Sequence, residues 1–468
     1  MTRAWIALSV AALLAGSRST PVAVAPAVDP GSCIVAIYAK PLPPEARRLD
    51  LRLQSVVAQR DDGSTFPLEL KASEFSGDAR AGWRLLAWGA VPPGTYTGLA
   101  IKAASATIKD GDGPRTLVIK AEAAPSLFPF TAGARRGILA VAELDYRASR
   151  GADDTFAPVF ALTSPSSLAT GLVGAVASRT MNSIVLFDKV SGQPVSLTPV
   201  GRGPGGLVAD TLRRRLYVAL SGDDAIATVD LVDGSVLATS RLRAGDEPVS
   251  LALSQDGLTL LTANSGSSTV SVLDAAAAAL TERTRVEVKS GPRYITIDPT
   301  GSKAWVFSAL DDSISTLRVP GGGLIGTLRS GGGPIRGDFD RLASRLYVIH
   351  QNSAYLDVVD TATLSVAQRV FVGSGASAIK VDPKTGRIYV GFKGSSRLDV
   401  FDPTGLLPID HVETGGGAGH LTIDSEGNNL CISIPSRGEV RLVRLVGKAL
   451  AARLEVPDPV EAALPGER

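Results

Sequence analysis

The sequence predicts an all-β protein: an N-terminal antiparallel β-sandwich followed by a seven-bladed β-propeller closed by a C-terminal strand in blade one. Three observations predict it. From about residue 170 onward the chain repeats a unit of about 43 strand-like residues, the length of one four-stranded blade. The last residues fall in phase with that repeat. Between Cys33 and Ser164 the repeat is absent, yet apolar and polar residues still alternate at period two.

In chain order, residues 1–17 read as a secretory signal, with Arg3 as basic start, an apolar run over residues 5–14, and small residues Ala15, Gly16 and Ser17. The run is too short to span a bilayer, so no transmembrane segment is expected. LLAGS is similar to a bacterial lipoprotein signal, but Ser17 stands where the acylated Cys would be, so export is expected and a thioether-linked lipid is not. Residues 18–31, rich in Pro, Ala and Val, read as a tether. Residues 32–164 form the sandwich: CIVAIYAK, LDLRLQSVVAQ, WRLLAWG, TYTGLAIKAASATI and GILAVAELD alternate between PLPP, DDGS, PPG and DGDG turns, about seven strands in all.

Residues 165–468 form the propeller. Each unit opens on a short alternation anchored at Pro204, Pro248, Pro292, Pro334, Ala376 and Ala418, at steps of 44, 44, 42, 42 and 42. A second strand follows, as in RLYVALS at Arg215 or RIYVGFK at Arg387, then a third, as in SIVLFD at Ser183 or RLDVFD at Arg397, then a more polar outer strand such as ERTRVEVK. Seven third strands exist but only six opening strands precede them. Pro459 lies 41 residues after Ala418, so the tail is expected to supply the missing innermost strand of blade one and so close the ring.

Composition restricts function. Net charge is +2 over 468 residues, which argues against a nucleic-acid surface, and 44% hydrophobic residues with mean hydropathy +0.17 suffice for two cores. Cys33 and Cys431 are expected to be buried and unbridged; with no CxxC, CxxCH or Cys/His pattern, neither an attached haem nor a standard zinc site is expected.

VPPGTYTGLAI from Val91, SLFPFTAGARRGILAVAELD from Ser126 and DDTFAPVFAL from Asp153 together resemble the immunoglobulin-like or prealbumin-like domain of bacterial surface lipoproteins. The propeller, through RLYVALS and RIYVGFK, resembles the YVTN family. The resemblance implies a cell-envelope setting without fixing a reaction, since similar propellers serve as nitrous oxide reductase and haem d1 domains, quinoprotein heavy chains, sugar lactonases and non-catalytic platforms. Only three histidines are present, too few for a copper cluster, so no cofactor or metal is expected.

Any chemistry is expected in the funnel formed where the innermost strands begin. Two residues beyond each anchor stand Gly206, Ser250, Tyr294, Arg336, Ala378, His420 and Glu461, with Arg293 beside them. Of these, Ser250, Arg293, Tyr294, Arg336, His420 and Glu461 are the candidate binding residues, because converging fixed charges at a narrow mouth are poorly solvated. No GxSxG nucleophile motif accompanies them, and no catalytic residue is assigned. Arg336, Gly337 and Asp338 spell RGD but sit in an innermost strand; Asp223, Asp224, Asp311 and Asp312 are expected to stabilise turns. The expected function is an exported, non-catalytic binding or scaffolding protein of the envelope with an unidentified protein or small-molecule partner and possible peripheral membrane association. The alternative is a funnel enzyme, a lactonase-like hydrolase or a redox-associated periplasmic protein.

Overall fold

The computed structural model describes residues 32–77, 82–110, 113–120, 125–151, 154–165, 173–424, 426 and 428–465. The signal and tether lie outside the described residues, as do Asp153, Gly171 and the final residues 466–468. No helix among the described residues is long and apolar enough to cross a membrane.

Seven four-stranded sheets make the propeller, and the first takes its innermost strand from the other end of the chain. That strand, Pro459–Ala463, pairs antiparallel with Val173–Ser178 through Ala175 with Ala463, Val176 with Ala462 and Ser178 with Pro459. The innermost strands of blades two to seven are Pro204–Asp210, Pro248–Leu253, Pro292–Ile297, Pro334–Phe339, Ala376–Val381 and His420–Asp424. Second and third strands are nearly continuous apolar runs because neighbouring blades cover both of their faces, while outer strands such as Thr281–Glu287 and Ser365–Phe371 alternate with solvent. The apolar seams between blades make the core: Val218, Val229 and Ile184 between blades one and two, Trp305, Phe307 and Val348 between four and five.

The recurring aspartates have a structural task. The Asp ending each of several third strands accepts backbone N–H groups of its own turn, as Asp188 does from Val190 and Ser191 and Asp360 from Ala362 and Thr363. Asp224 and Asp312 reach further than their own turns. Held at φ +49° and +52°, they accept from the connectors into the next blade, Gly245 and Glu247 for Asp224, Gly333 for Asp312; Asn182 does the same for Gly203.

The N-terminal domain is a ten-stranded sheet curled into a half-barrel over one core. Its two layers share Thr65–Leu70, which pairs with Leu49–Arg60 on one side and Arg84–Val91 on the other. Register shifts within Leu49–Arg60 and the 17-residue Gly94–Asp110 bend the sheet so that one continuous hydrogen-bonded path buries its concave face. The domain departs from a purely antiparallel arrangement in two places: the short Thr155–Phe156 runs parallel to Val118–Ile119 in a separate two-stranded sheet, and within the main sheet Cys33–Ala39 runs parallel to Gly137–Leu144. Period-two alternation reports which face of a strand is buried and carries no information on the direction of its neighbour, so this pairing was not legible in the pattern.

The two domains share a hydrophobic cluster in which Tyr38, Leu85, Trp88 and Leu139 pack on Val185, Phe187, Cys431, Leu442 and Val456. Gly137 sits against this seam because a Cβ there would lie 1.9 Å from the Leu197 carbonyl oxygen. Cys33 and Cys431 are buried and unbridged. Burial pushes the Cys33 thiol up to about 11.

Candidate functional site

The central channel contains a cavity of about 290 Å³ lined by the inward-facing residues of the innermost strands. These strands alternate, so every second side chain points at the axis. Tyr294, Arg336 and His420 occupy one level, and Asp338, Lys380 and Thr422 the next, toward the strands' C-terminal ends.

Arg336 from blade five and Glu461 from blade one meet across the channel, Nη2 to Oε1 at 2.7 Å, with 16% and 11% of their side-chain surface exposed. The second oxygen of Glu461 accepts the backbone N–H of Leu207 from blade two at 3.1 Å. Burial pushes the Glu461 pKa up, but the Arg336 charge, His420 and the two hydrogen bonds outweigh it, and the group is held below the usual carboxylate range. Arg336 also lies over the Tyr294 ring, 4.6 Å from its centroid, so its plane is fixed on a second side. Gly337 follows it because a Cβ there would come within 2.8 Å of the Phe307 ring.

His420 is buried, and burial drives its pKa down to about 3, with Arg336 and Lys380 adding to the shift and Glu461 opposing it. The ring is therefore neutral at physiological pH. Its Nδ1 accepts from the Ala462 N–H at 3.3 Å, which leaves the proton on Nε2 and makes the ring a hydrogen-bond donor toward the channel level. Beside it, Lys380 pairs with Asp338 at 2.9 Å, and Asp338 also accepts from the Val381 N–H at 2.8 Å. Burial opposes the Lys380 charge, the Asp338 carboxylate more than offsets this, and the ammonium is held above its ordinary value. The cluster thus carries two cations and two anions, all engaged, around one neutral imidazole.

Of the sequence-predicted residues, Tyr294, Arg336, His420 and Glu461 are brought together; Ser250 and Arg293 are not. Ser250 is 2% exposed, and its hydroxyl accepts from the Ile295 N–H at 3.2 Å, stitching two adjacent inner strands. The same register shift precedes Tyr294 and Arg336, so Ser250 is in phase with them; its short side chain bonds the neighbouring strand and does not line the channel cavity. Arg293 is one residue out of phase with the inward set and is exposed. Lys380 and Asp338 were missed, although they lie two residues beyond the predicted ring on the same inward face and period two alone would have found them. RGD is confirmed as an inner-strand segment, with its Arg and Asp both in ion pairs. His350, at the end of Arg345–His350, meets Ser330 Oγ at 2.8 Å and Asp357 inside blade five; with Ser330 fully buried, this Ser, His and Asp grouping cements a sheet and offers no accessible nucleophile. Among the described residues no group of three or more His, Cys, Asp or Glu is placed to hold a metal ion.

The family model described as "Lactonase, 7-bladed beta-propeller" matches residues 172–450, more than half of the chain. Glu461 and its strand lie beyond that match. No curated protein matches the chain. Among solved structures, a putative 6-phosphogluconolactonase from Bacteroides fragilis is similar with TM-score 0.54 and 19% identity, covering 64% of this chain and 99% of that one. A putative 6-phosphogluconolactonase from Bacteroides uniformis is similar with TM-score 0.54 and 16% identity, covering 63% and 99%. A functionally unknown protein from Desulfotomaculum acetoxidans gives TM-score 0.54 and 13% identity, covering 62% and 98%. At these identities the structural likeness is one of fold. The family match overturns the expectation of a non-catalytic binding or scaffolding protein and favours the alternative, a hydrolase working in the funnel.

Proposed function

The chain belongs to the lactonase family of seven-bladed β-propellers, and from that we propose that it opens the ring of a small sugar-acid lactone inside the central channel. The observation that carries this reading is the convergence of a guanidinium and a neutral imidazole on the channel cavity, with an ionised carboxylate held against the guanidinium at 2.7 Å. Glu461 accepts a proton from water as that water's oxygen bonds to the lactone carbonyl carbon. The negative charge that develops on the carbonyl oxygen is met by His420 Nε2–H and by Arg336, donors already fixed in a desolvated site. The ring C–O bond then breaks, the proton on Glu461 passes to the departing alkoxide, and a hydroxy acid leaves. Tyr294 contributes by holding the guanidinium plane.

Charge balance bears on the substrate. Because Arg336 and Lys380 are already paired, a dianionic phosphate would have to displace a carboxylate from one of them, and each broken buried pair leaves an uncompensated charge. The expected substrate is an uncharged or singly charged aldonolactone. With purified protein in a pH-stat, gluconolactone should be opened at a kcat/KM no lower than its 6-phosphate ester. A preference for the ester by about tenfold or more would refute the charge-balance argument, and no turnover across γ- and δ-lactones would refute the hydrolase reading itself. The exported setting implied by residues 1–17, and the cell-envelope setting implied by the two resemblances, belong to this proposal. It then acts on lactones outside the cytoplasm.

A further inference from the structure

Glu461 rides on a five-residue strand with a neighbour on one side only, so its position depends on how the strand's ends are anchored. The downstream end is tied by Lys189 Nζ, which donates to the Pro465 carbonyl at 2.8 Å and pairs with buried Asp424 of blade seven at 3.6 Å. The upstream end is anchored by the other domain. Glu455, the last residue of the blade-seven outer strand Leu450–Glu455, receives three contacts from the N-terminal half-barrel: Tyr38 Oη donates to its backbone carbonyl at 2.7 Å, the Leu85 N–H to Oε2 at 3.0 Å, and Arg84 Nε to Oε1 at 3.2 Å. Between this clamp and the strand stand only three residues. Val456 is fully buried in the shared interdomain cluster, the Pro457 carbonyl accepts from Ser178 Oγ, and the Asp458 carbonyl accepts from the Arg179 N–H at 3.2 Å. In blades two to six the corresponding outer-strand ends, Arg241, Glu287, Arg329, Phe371 and Glu413, are all exposed to solvent. The covered strand end is the one that leads to the ring-closing strand.

We propose that the N-terminal domain is a positioning element for the channel site: Tyr38 and Arg84 fix Glu455, and through the three-residue connector they fix the strand that presents Glu461. The link is mechanical. A connector this short has little slack, so displacement of Glu455 passes to Pro459 and alters the Glu461 contacts with Arg336 and Leu207.

The test uses the full chain carrying Tyr38→Phe together with Arg84→Ala, which keeps the buried ring while removing both side-chain donors. Hydrogen exchange, read by mass spectrometry without substrate, should accelerate by about fivefold or more across Pro459–Ala463 and remain parent-like in Pro292–Ile297, as expected when two hydrogen bonds holding a local opening unit are lost. Unchanged exchange in Pro459–Ala463, or equal acceleration in both strands, overturns the proposal. The catalytic consequence rests on the lactonase reading: kcat should fall several-fold at unchanged KM and recover in Tyr38-containing Arg84→Lys protein, and a parent-like kcat in the double variant overturns the positioning role. Because exchange is measured without lactone, a parent lacking all turnover would count against the hydrolase reading and leave the clamp result standing.

Discussion

Removal of residues 457–468 is expected to lower the melting temperature of the propeller by about 10 °C or more while the N-terminal half-barrel, which has its own core, stays folded. Few large side chains are involved: the strand is Pro, Val, Glu, Ala and Ala, so area burial is a minor part of the effect. The larger part is polar. Val173–Ser178 loses its inner partner, exposing a strand edge whose lost hydrogen bonds are worth about 0.5–1.5 kcal/mol each. Arg336 loses Glu461 and becomes a buried unpaired cation, a change that costs roughly 3–5 kcal/mol. Lys189 loses the Pro465 carbonyl as well. The sum is of the order of a domain's whole net stability of about 5–15 kcal/mol. Calorimetry of the truncated chain checks this, and a parent-like melting curve would show that the ring is held without the tail.

Glu461→Gln is expected to lower kcat by about 10²–10⁴ with little change in KM, the range seen when a general base is removed. The amide is isosteric and its oxygen can still accept from Leu207 or Arg336, so the loss falls on proton transfer more than on substrate binding. Arg336 would retain a hydrogen bond but lose its counter-charge, and a fall of a few degrees in melting temperature should accompany the variant. Initial rates of lactone opening at saturating substrate provide the check. A rate within about threefold of the parent would remove Glu461 from the chemistry.

How much of this was legible in the sequence depends on the kind of signal. Repetition is long-range information written along the chain, and the 41 to 44-residue steps carried blade number, strand order and the C-terminal closure, down to Pro459 as the start of the inserted strand. The same phase placed Tyr294, Arg336, His420 and Glu461 at the channel. It failed at Ser250 because that short hydroxyl bonds the neighbouring inner strand, and at Arg293 because it stands one residue out of phase with the inward set and is exposed. Lys380 and Asp338 were within reach of the alternation and were passed over by stopping at the first inward residue. The parallel pairing of Cys33–Ala39 with Gly137–Leu144, and the clamp of Tyr38 and Arg84 on Glu455, join segments roughly 100 and 400 residues apart with no repeat to register them. Function followed the same division. The residues identified a polar funnel but not a reaction, since balanced charges in a channel suit binding and catalysis alike, and the lactonase family match decided against the scaffold.

The most direct measurement on the central claim is a crystal structure of the protein soaked with an aldonate, the product of the proposed reaction. The account predicts the ligand in the channel cavity, its carboxylate within hydrogen-bond distance of Arg336 and of His420 Nε2, and Glu461 facing the carboxylate carbon. A well-ordered aldonate held elsewhere, or a channel that stays closed by the Arg336 and Glu461 pair at saturating concentration, would contradict it.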